Sequence, residues 1–283
     1  MSLKELELRY NLELKKYTTI KIGGIVKHFF IAHNYFGLKE IIEKLKGNYY
    51  ILGGGSNILV NEPIVKKPII KLGEGFSYIK KDKELLEVGS ATPLAFLLRY
   101  CLQNNLGGLV GIPATIGGLI KMNASSFEKE ISFCLDKIEV MDNCGESKFF
   151  ERKDIEFGYR SSSLKDYIIL RAWFKLEERK AIDIKMKMKE YLTKRIKTQD
   201  FGFPSCGCIF KNPKDYKAGF LIEACNLKGL KRNDALVSLK HANFIVNLGK
   251  ASYQDVDYLI QRIKEEVFKK FGVVLEEEII RWM

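Results

Sequence analysis

The apolar positions of this chain switch between a period near 3.6 and a period of two, and that switching lays out a mixed set of elements. Residues 36–45 put Leu38, Ile41, Ile42 and Leu45 on one side of a helix. Short apolar runs at 49–52 and 58–60 read as strands on either side of a glycine cluster, and 69–72 and 85–88 read the same way. Thr92 is placed to cap a helix with Pro93 at its first position, running to about residue 104. Strands at 138–141 and 147–151 flank a turn at 142–145, and the aromatic-rich apolar run at 167–176 suits a mostly buried strand. Residues 179–197 form a polar amphipathic helix. Beyond it the pattern predicts helices at 218–225 and 253–271 and strands at 244–246 and 274–281. The main boundary falls near residue 180, ahead of a stretch at 199–212 rich in Gly, Pro, Ser and Cys. No internal repeat interrupts this layout.

Composition narrows the class. A chain of 283 residues with 46% hydrophobic positions can build one large or two modest cores. Residues 1–16 are charged and lack the apolar centre of a secretory leader, and no apolar run reaches membrane-spanning length. A cytoplasmic protein is the expectation, with Cys101, Cys134, Cys144, Cys206, Cys208 and Cys225 as reduced thiols. The net charge of +12 comes from lysines scattered among Glu and Asp. They form no basic stripe interleaved with aromatics, which argues against a nucleic-acid partner. A positive field of this kind still attracts a polyanionic small substrate. The reading expects a monomer with no membrane partner and no metal, since only His28, His33 and His241 are available and Cys206-Gly207-Cys208 lacks a second ligand pair.

Two small-residue segments carry candidate chemistry. In Ile51-Leu52-Gly53-Gly54-Gly55-Ser56-Asn57-Ile58-Leu59-Val60, three glycines remove every Cβ, so backbone N–H groups can form a concave nest for an anion. Ser56 and Asn57 add side-chain donors. A strand-like run follows where a dinucleotide-binding βαβ unit requires a helix, and the spacing G-x-G-x-x-G is absent. A plain hairpin turn is the alternative. The second segment is Gly111-Ile112-Pro113-Ala114-Thr115-Ile116-Gly117-Gly118, followed by Met122-Asn123-Ala124-Ser125. Two such loops favour an extended dinucleotide over a single phosphate.

The order and spacing of these and later segments resemble the UDP-N-acetylenolpyruvoylglucosamine reductase family over nearly the whole chain. The matching pieces are Tyr17-Thr18-Thr19-Ile20-Lys21-Ile22-Gly23-Gly24, both glycine loops, and Gly158-Tyr159-Arg160-Ser161-Ser162. They continue with Pro204-Ser205-Cys206-Gly207-Cys208-Ile209-Phe210-Lys211-Asn212-Pro213, Ala218-Gly219-Phe220-Leu221-Ile222-Glu223, Ser238-Leu239-Lys240-His241-Ala242-Asn243-Phe244-Ile245-Val246-Asn247 and Leu275-Glu276-Glu277-Glu278-Ile279. The resemblance implies an α+β fold. Its FAD-binding region, of the vanillyl-alcohol-oxidase/PCMH type, would cover residues 1–180 in two subdomains, about 1–66 and 67–180, followed by an α+β substrate-binding domain at 181–283. The short stretch between Arg160 and Arg195 matches the shorter type, which lacks a substrate-covering insertion.

The resemblance also implies the chemistry: NADPH-dependent reduction of an enolpyruvyl nucleotide sugar through FAD, in peptidoglycan precursor synthesis. It places the FAD diphosphate and flavin against Gly53, Gly54, Gly55, Ser56, Asn57, Ile112, Pro113, Thr115, Gly117, Gly118 and Ser125. Arg160 and Glu278 would hold and polarise the substrate carboxylate, a task that suits the planar fork of Arg. Tyr159, Lys211 and Asn212 would contact the substrate. Cys208 stands where the family usually has the proton-donating Ser; an ordinary thiol is the stronger acid of the two. From the residues alone, Arg160 reads equally as a surface ion pair, Glu278 as one of three exposed glutamates, and Asn212 as a turn former before Pro213.

Overall fold

The computed structural model describes residues 5–61, 63–82, 84–100, 105–127, 129–176 and 181–282. Six α-helices lie among them: α1 (Tyr35–Leu45), α2 (Leu94–Tyr100), α3 (Ile116–Lys121), α4 (Ala181–Thr198), α5 (Ala218–Ala224) and α6 (Tyr253–Phe271). Local chemistry sets their ends. Asn34 caps α1 by accepting from the N–H of Gly37 at 2.9 Å. Ser252 and Asp255 form a reciprocal capping box on α6, and Gly272, with φ of +67°, closes that helix in the left-handed region.

The described chain divides into two compact units. The first comprises Met1–Tyr10, His28–Gly54 and Lys67–Thr193, and the second Asn11–Lys27, Gly55–Lys66 and Lys194–Met283. In the first unit an antiparallel sheet runs in the order Ser147–Glu151, Leu135–Met141, Ile168–Lys175, Leu85–Gly89, Ile79–Asp82. Val88, Ile138, Ala172 and Phe174 on its inner face pack with Leu94 and Leu97 of α2 and Leu119 and Ile120 of α3. Each such buried side chain stabilises the fold by about 1.5–3 kcal/mol relative to exposure. A second, parallel arrangement places Ile69–Leu72 between Tyr50–Leu52 and the later residues of Ile25–Ala32. Ile70 and Leu72 join the α1 residues Leu38, Ile41 and Ile42 in one core. The strand period of two therefore turns Ile69 and Lys71 to the opposite face.

The second unit is built on the antiparallel order Ser205–Cys208, Phe244–Asn247, Ala235–Val237, Lys231–Arg232. Val256, Leu259, Ile260 and Ile263 of α6 close its core against Val237, Ile245 and Leu221. Ile58–Val60 pairs in parallel with Ile280–Trp282, through Ile58 with Ile280 and Val60 with Trp282.

The mixed architecture is α+β, as expected, but several particulars differ. The strand expected at 274–281 is confined to Ile280–Trp282; ahead of it only an isolated bridge joins Phe210 and Glu277. Ile116–Lys121 is helical, so Gly117 and Gly118 sit in its first turn and the second small-residue segment is a loop only up to Thr115. The first segment is no hairpin: Tyr50–Leu52 pairs with Ile69–Leu72, whereas Ile58–Val60 pairs with Ile280–Trp282. The end of the helix expected at 92–104 lies outside the described residues, and so does the boundary expected near 180. Residues 11–27 and 55–66 belong with the C-terminal unit, because a compact unit is set by packing and need not be contiguous in sequence.

Candidate active site

In the first unit, Gly53 and Gly54 follow the edge strand Tyr50–Leu52 and meet the second loop directly. A Cβ on Gly54 would lie 2.8 Å from the Pro113 carbonyl oxygen and 3.1 Å from the Ala114 Cα, and one on Gly53 would lie 2.9 Å from Thr115 Oγ1. Gly54 is thus required by one backbone lying against another, whereas Gly53 makes room for a side-chain hydroxyl. Among the described residues, the N–H groups of Gly53 and Gly54 donate to no protein acceptor. Beside them opens a cleft of about 480 Å³, lined in part by Gly54, Lys71, Ile112, Pro113, Ala114 and Thr115. Lys71 Nζ donates to the Gly53 carbonyl at 3.2 Å. Burial holds its ammonium pKa below the ordinary lysine value. The side chain of Ser90, against which a Cβ on Gly117 would press at 3.1 Å, buries a hydroxyl with no hydrogen-bond partner. The amide of Gly117 is spent on the Ser90 carbonyl at 2.8 Å. Gly118 has room, with Thr115 Oγ1 3.5 Å from its hypothetical Cβ.

The same unit brings together three further expected residues. Arg160 Nη1 donates to Ser125 Oγ at 2.5 Å, and its guanidinium lies 5.1 Å from the Tyr159 ring centroid. Arg160 adopts φ of +56°, a conformation rare for a residue with a Cβ. It sits in the two-residue turn of a short hairpin whose Gly158 carbonyl accepts from Asn123 Nδ2 at 3.0 Å.

The second unit contains the remaining candidates. Cys208 ends the strand Ser205–Cys208, paired with Phe244. The chain then runs antiparallel to the segment before the last strand: the Glu278 N–H donates to the Ile209 carbonyl at 2.8 Å, and the Lys211 N–H to the Glu276 carbonyl at 2.8 Å. Cys208 and Glu278 are thereby flanking neighbours of one short ladder. The three glutamates are distinguished by their partners. Glu276 pairs with Lys211 Nζ at 2.5 Å, and Glu277 is taken up by Arg281 at 2.7 Å and by Lys264. Glu278 offers its backbone carbonyl to Asn57 Nδ2 at 3.1 Å, which ties the first loop to this ladder. Gly55 lies in the left-handed region at φ +66°, with the Tyr17 carbonyl oxygen where its Cβ would be. Among the described residues, the N–H groups of Gly55 and Ser56 have no protein acceptor. Asn212 Oδ1 accepts from the Ala218 N–H at 3.0 Å and so fixes the start of α5.

The sequence reading passed over two residues. Lys71 is a single cation in the otherwise apolar run 68–72, a signal that alternation makes readable. Asn243 is buried, and its side chain both accepts from the Phe210 N–H at 2.9 Å and donates to the Phe210 carbonyl at 2.8 Å. It acts as a clamp on the strand that carries Cys208. Arg195, which gave only a length comparison, is buried on α4 with Cys208 close enough to favour its charge, while burial lowers its pKa. Cys206 is fully buried, and burial pushes its thiol up to about 12, so it stays protonated beside Cys208. His241 is half-buried and packs against Phe244, with ring centroids 4.7 Å apart.

Comparison with known proteins identifies what this arrangement is similar to. A family model described as the C-terminal domain of UDP-N-acetylenolpyruvoylglucosamine reductase matches residues 198–282. The chain is 37% identical to the UDP-N-acetylenolpyruvoylglucosamine reductase of Syntrophobacter fumaroxidans, over 98% of this chain and 84% of that protein. It is 38% identical to the Thermotoga maritima reductase of the same name, over 95% of this chain and 97% of that one. The crystal structure of the reductase (MurB) from Thermus caldophilus superposes with a TM-score of 0.87 at 35% identity, covering 98% of this chain and all of that one.

Proposed function

Because the chain belongs to the UDP-N-acetylenolpyruvoylglucosamine reductases, we propose that it reduces UDP-N-acetylglucosamine enolpyruvate to UDP-N-acetylmuramate, with FAD bound and NADPH as reductant, in peptidoglycan precursor synthesis. The residues of the first unit suit the cofactor. The cleft beside Gly53, Gly54 and Ile112 to Thr115 is walled by backbone, offers unspent N–H groups and carries a lysine, which is the donor set a dinucleotide diphosphate needs. Gly53, Gly54, Gly55, Ser56, Asn57, Ile112, Pro113, Thr115, Gly117, Gly118 and Ser125 would hold FAD. In domain terms, residues 1–180 serve the cofactor and 181–283 the nucleotide sugar, with Tyr159, Lys211 and Asn212 as substrate contacts.

FAD, when bound, would supply the hydride for one carbon of the enolpyruvyl double bond, with NADPH as its source. Negative charge then gathers on the substrate carboxylate, where the Arg160 guanidinium and Glu278 hold and polarise it. The other carbon needs a proton, and the Cys208 Sγ–H donates it. Cys206 stays a thiol and takes no part. The observation that supports this reading is the short backbone ladder joining the segment after Cys208 to the one that carries Glu278, with the Glu278 N–H donating to the Ile209 carbonyl at 2.8 Å.

The purified protein is expected to be yellow and to consume NADPH only when UDP-N-acetylglucosamine enolpyruvate is present. Colourless protein with no substrate-dependent NADPH oxidation overturns the proposal. We place the reaction in the cytoplasm and the active species as a monomer, which size-exclusion chromatography with light scattering tests. No helix among the described residues is long and apolar enough to cross a membrane.

A further inference from the structure

Lys71 is half-buried on the central strand Ile69–Leu72, on the face opposite the core residues Ile70 and Leu72. Its Nζ lines the cleft between the two small-residue loops. An ammonium has three donors. Among the described residues, the acceptor for this one is the neutral Gly53 carbonyl at 3.2 Å. A cation removed from water with one neutral acceptor is under-compensated, and an anion in the cleft would complete its shell. The other charged residue lining the cleft is Glu74, which is exposed and so screened by solvent. The anion-accepting end of the cleft is therefore set by Lys71 and the Gly54 amide.

We infer that Lys71 is a cofactor-positioning residue: its ammonium contacts a phosphate oxygen of the bound dinucleotide while its bond to Gly53 holds the first loop in place. This rests on the FAD reading above. The lysine serves two ends at once. One N–H fixes the loop that presents the Gly53 and Gly54 amides, and the others reach the phosphate those amides face.

The test measures binding by fluorescence and calorimetry, with activity left aside. Dissociation constants for FAD, ADP and riboflavin are compared in the apo wild type, Lys71→Met and Lys71→Arg. Loss of one charge-assisted hydrogen bond corresponds to about a ten- to hundredfold weakening. Lys71→Met is expected to weaken FAD and ADP by that factor and to leave riboflavin, which has no phosphate, unchanged. Lys71→Arg is expected to recover most of the affinity. Equal weakening of riboflavin, or no change for FAD and ADP, overturns the inference. Should Lys71→Met not fold, the wild type still decides: ADP, and not adenosine, is expected to protect Lys71 from reductive methylation, and equal labelling with both ligands overturns the inference. A wild type that binds no FAD at all sinks the FAD reading, whereas FAD binding indifferent to Lys71 sinks this inference alone.

Discussion

The backbone N–H of Glu278 donates to the carbonyl of Ile209 at 2.8 Å, which joins the C-terminal glutamate's segment to the residue that follows Cys208. With Cys208 as the proton donor, Cys208→Ala is expected to let NADPH reduce the flavin normally. Reoxidation by substrate should slow by about 10²–10⁴-fold, the usual contribution of a positioned acid. Cys208→Ser should keep partial turnover. Stopped-flow absorbance separates the two half-reactions, and unimpaired reoxidation in the Ala variant removes Cys208 from its role.

Asn243 clamps both backbone groups of Phe210, two residues after Cys208. Asn243→Ala leaves a buried N–H and a buried carbonyl unpaired, at a cost of about 2–4 kcal/mol. Urea denaturation should show that loss, and the rate of substrate-driven reoxidation should fall with it. A stability change below about 1 kcal/mol would mean that water replaces the clamp without cost.

The glycines of the two loops are not equivalent. Gly54→Ala forces a Cβ against the Pro113 carbonyl, so a shift of backbone costing about 1–3 kcal/mol and weaker FAD binding are expected. Gly118→Ala meets only ordinary contact and lies in α3, so its Tm should hold or rise, by up to about 1 kcal/mol in stability. Thermal melts of the two apoproteins check the contrast.

Lys121 donates to the carbonyls of Lys165 and Tyr167, each at 2.8 Å, and burial lowers its pKa to about 8 from 10.5. Across that window the unfolded chain holds more protons at this position than the folded one, so the stability contributed by Lys121 rises as pH increases. The difference in unfolding free energy between wild type and Lys121→Met should therefore move in favour of the wild type from pH 8 to pH 10. A flat difference would contradict the lowered pKa.

The cysteines differ in access. Cys144 is exposed, whereas Cys134 and Cys206 are buried. Brief treatment of native protein with N-ethylmaleimide near neutral pH should modify Cys144 and spare Cys134 and Cys206 until denaturant is added, as read by mass spectrometry. Early labelling of Cys206 would contradict its burial.

Much of the fold was legible because strong periodicity survives tertiary packing. α1 and α6 follow their apolar stripes closely, and the strands Ser147–Glu151 and Tyr50–Leu52 fall at the segments expected for them. Less was legible where a pattern depends on distant partners. The strand Leu6–Glu13 alternates charged and apolar positions on an exposed surface and gave no clear signal. The run 274–281 has the composition of a strand, yet only Ile280–Trp282 finds a ladder partner, Ile58–Val60. Lys71 was readable as the odd residue in an apolar run, but its meaning came only with the cleft.

By itself the sequence determined which segments are side-chain-poor, where α1 and α6 begin and end, and which ordered motifs mark the reductase family, since these depend on local sterics and on residue order. Tertiary structure alone decided that Gly54 must lie against Pro113, that Glu276 and Glu277 are spent in ion pairs, and that Cys208 and Glu278 flank one ladder. Those facts rest on contacts between residues far apart along the chain, and no local period encodes which backbone comes to rest against which.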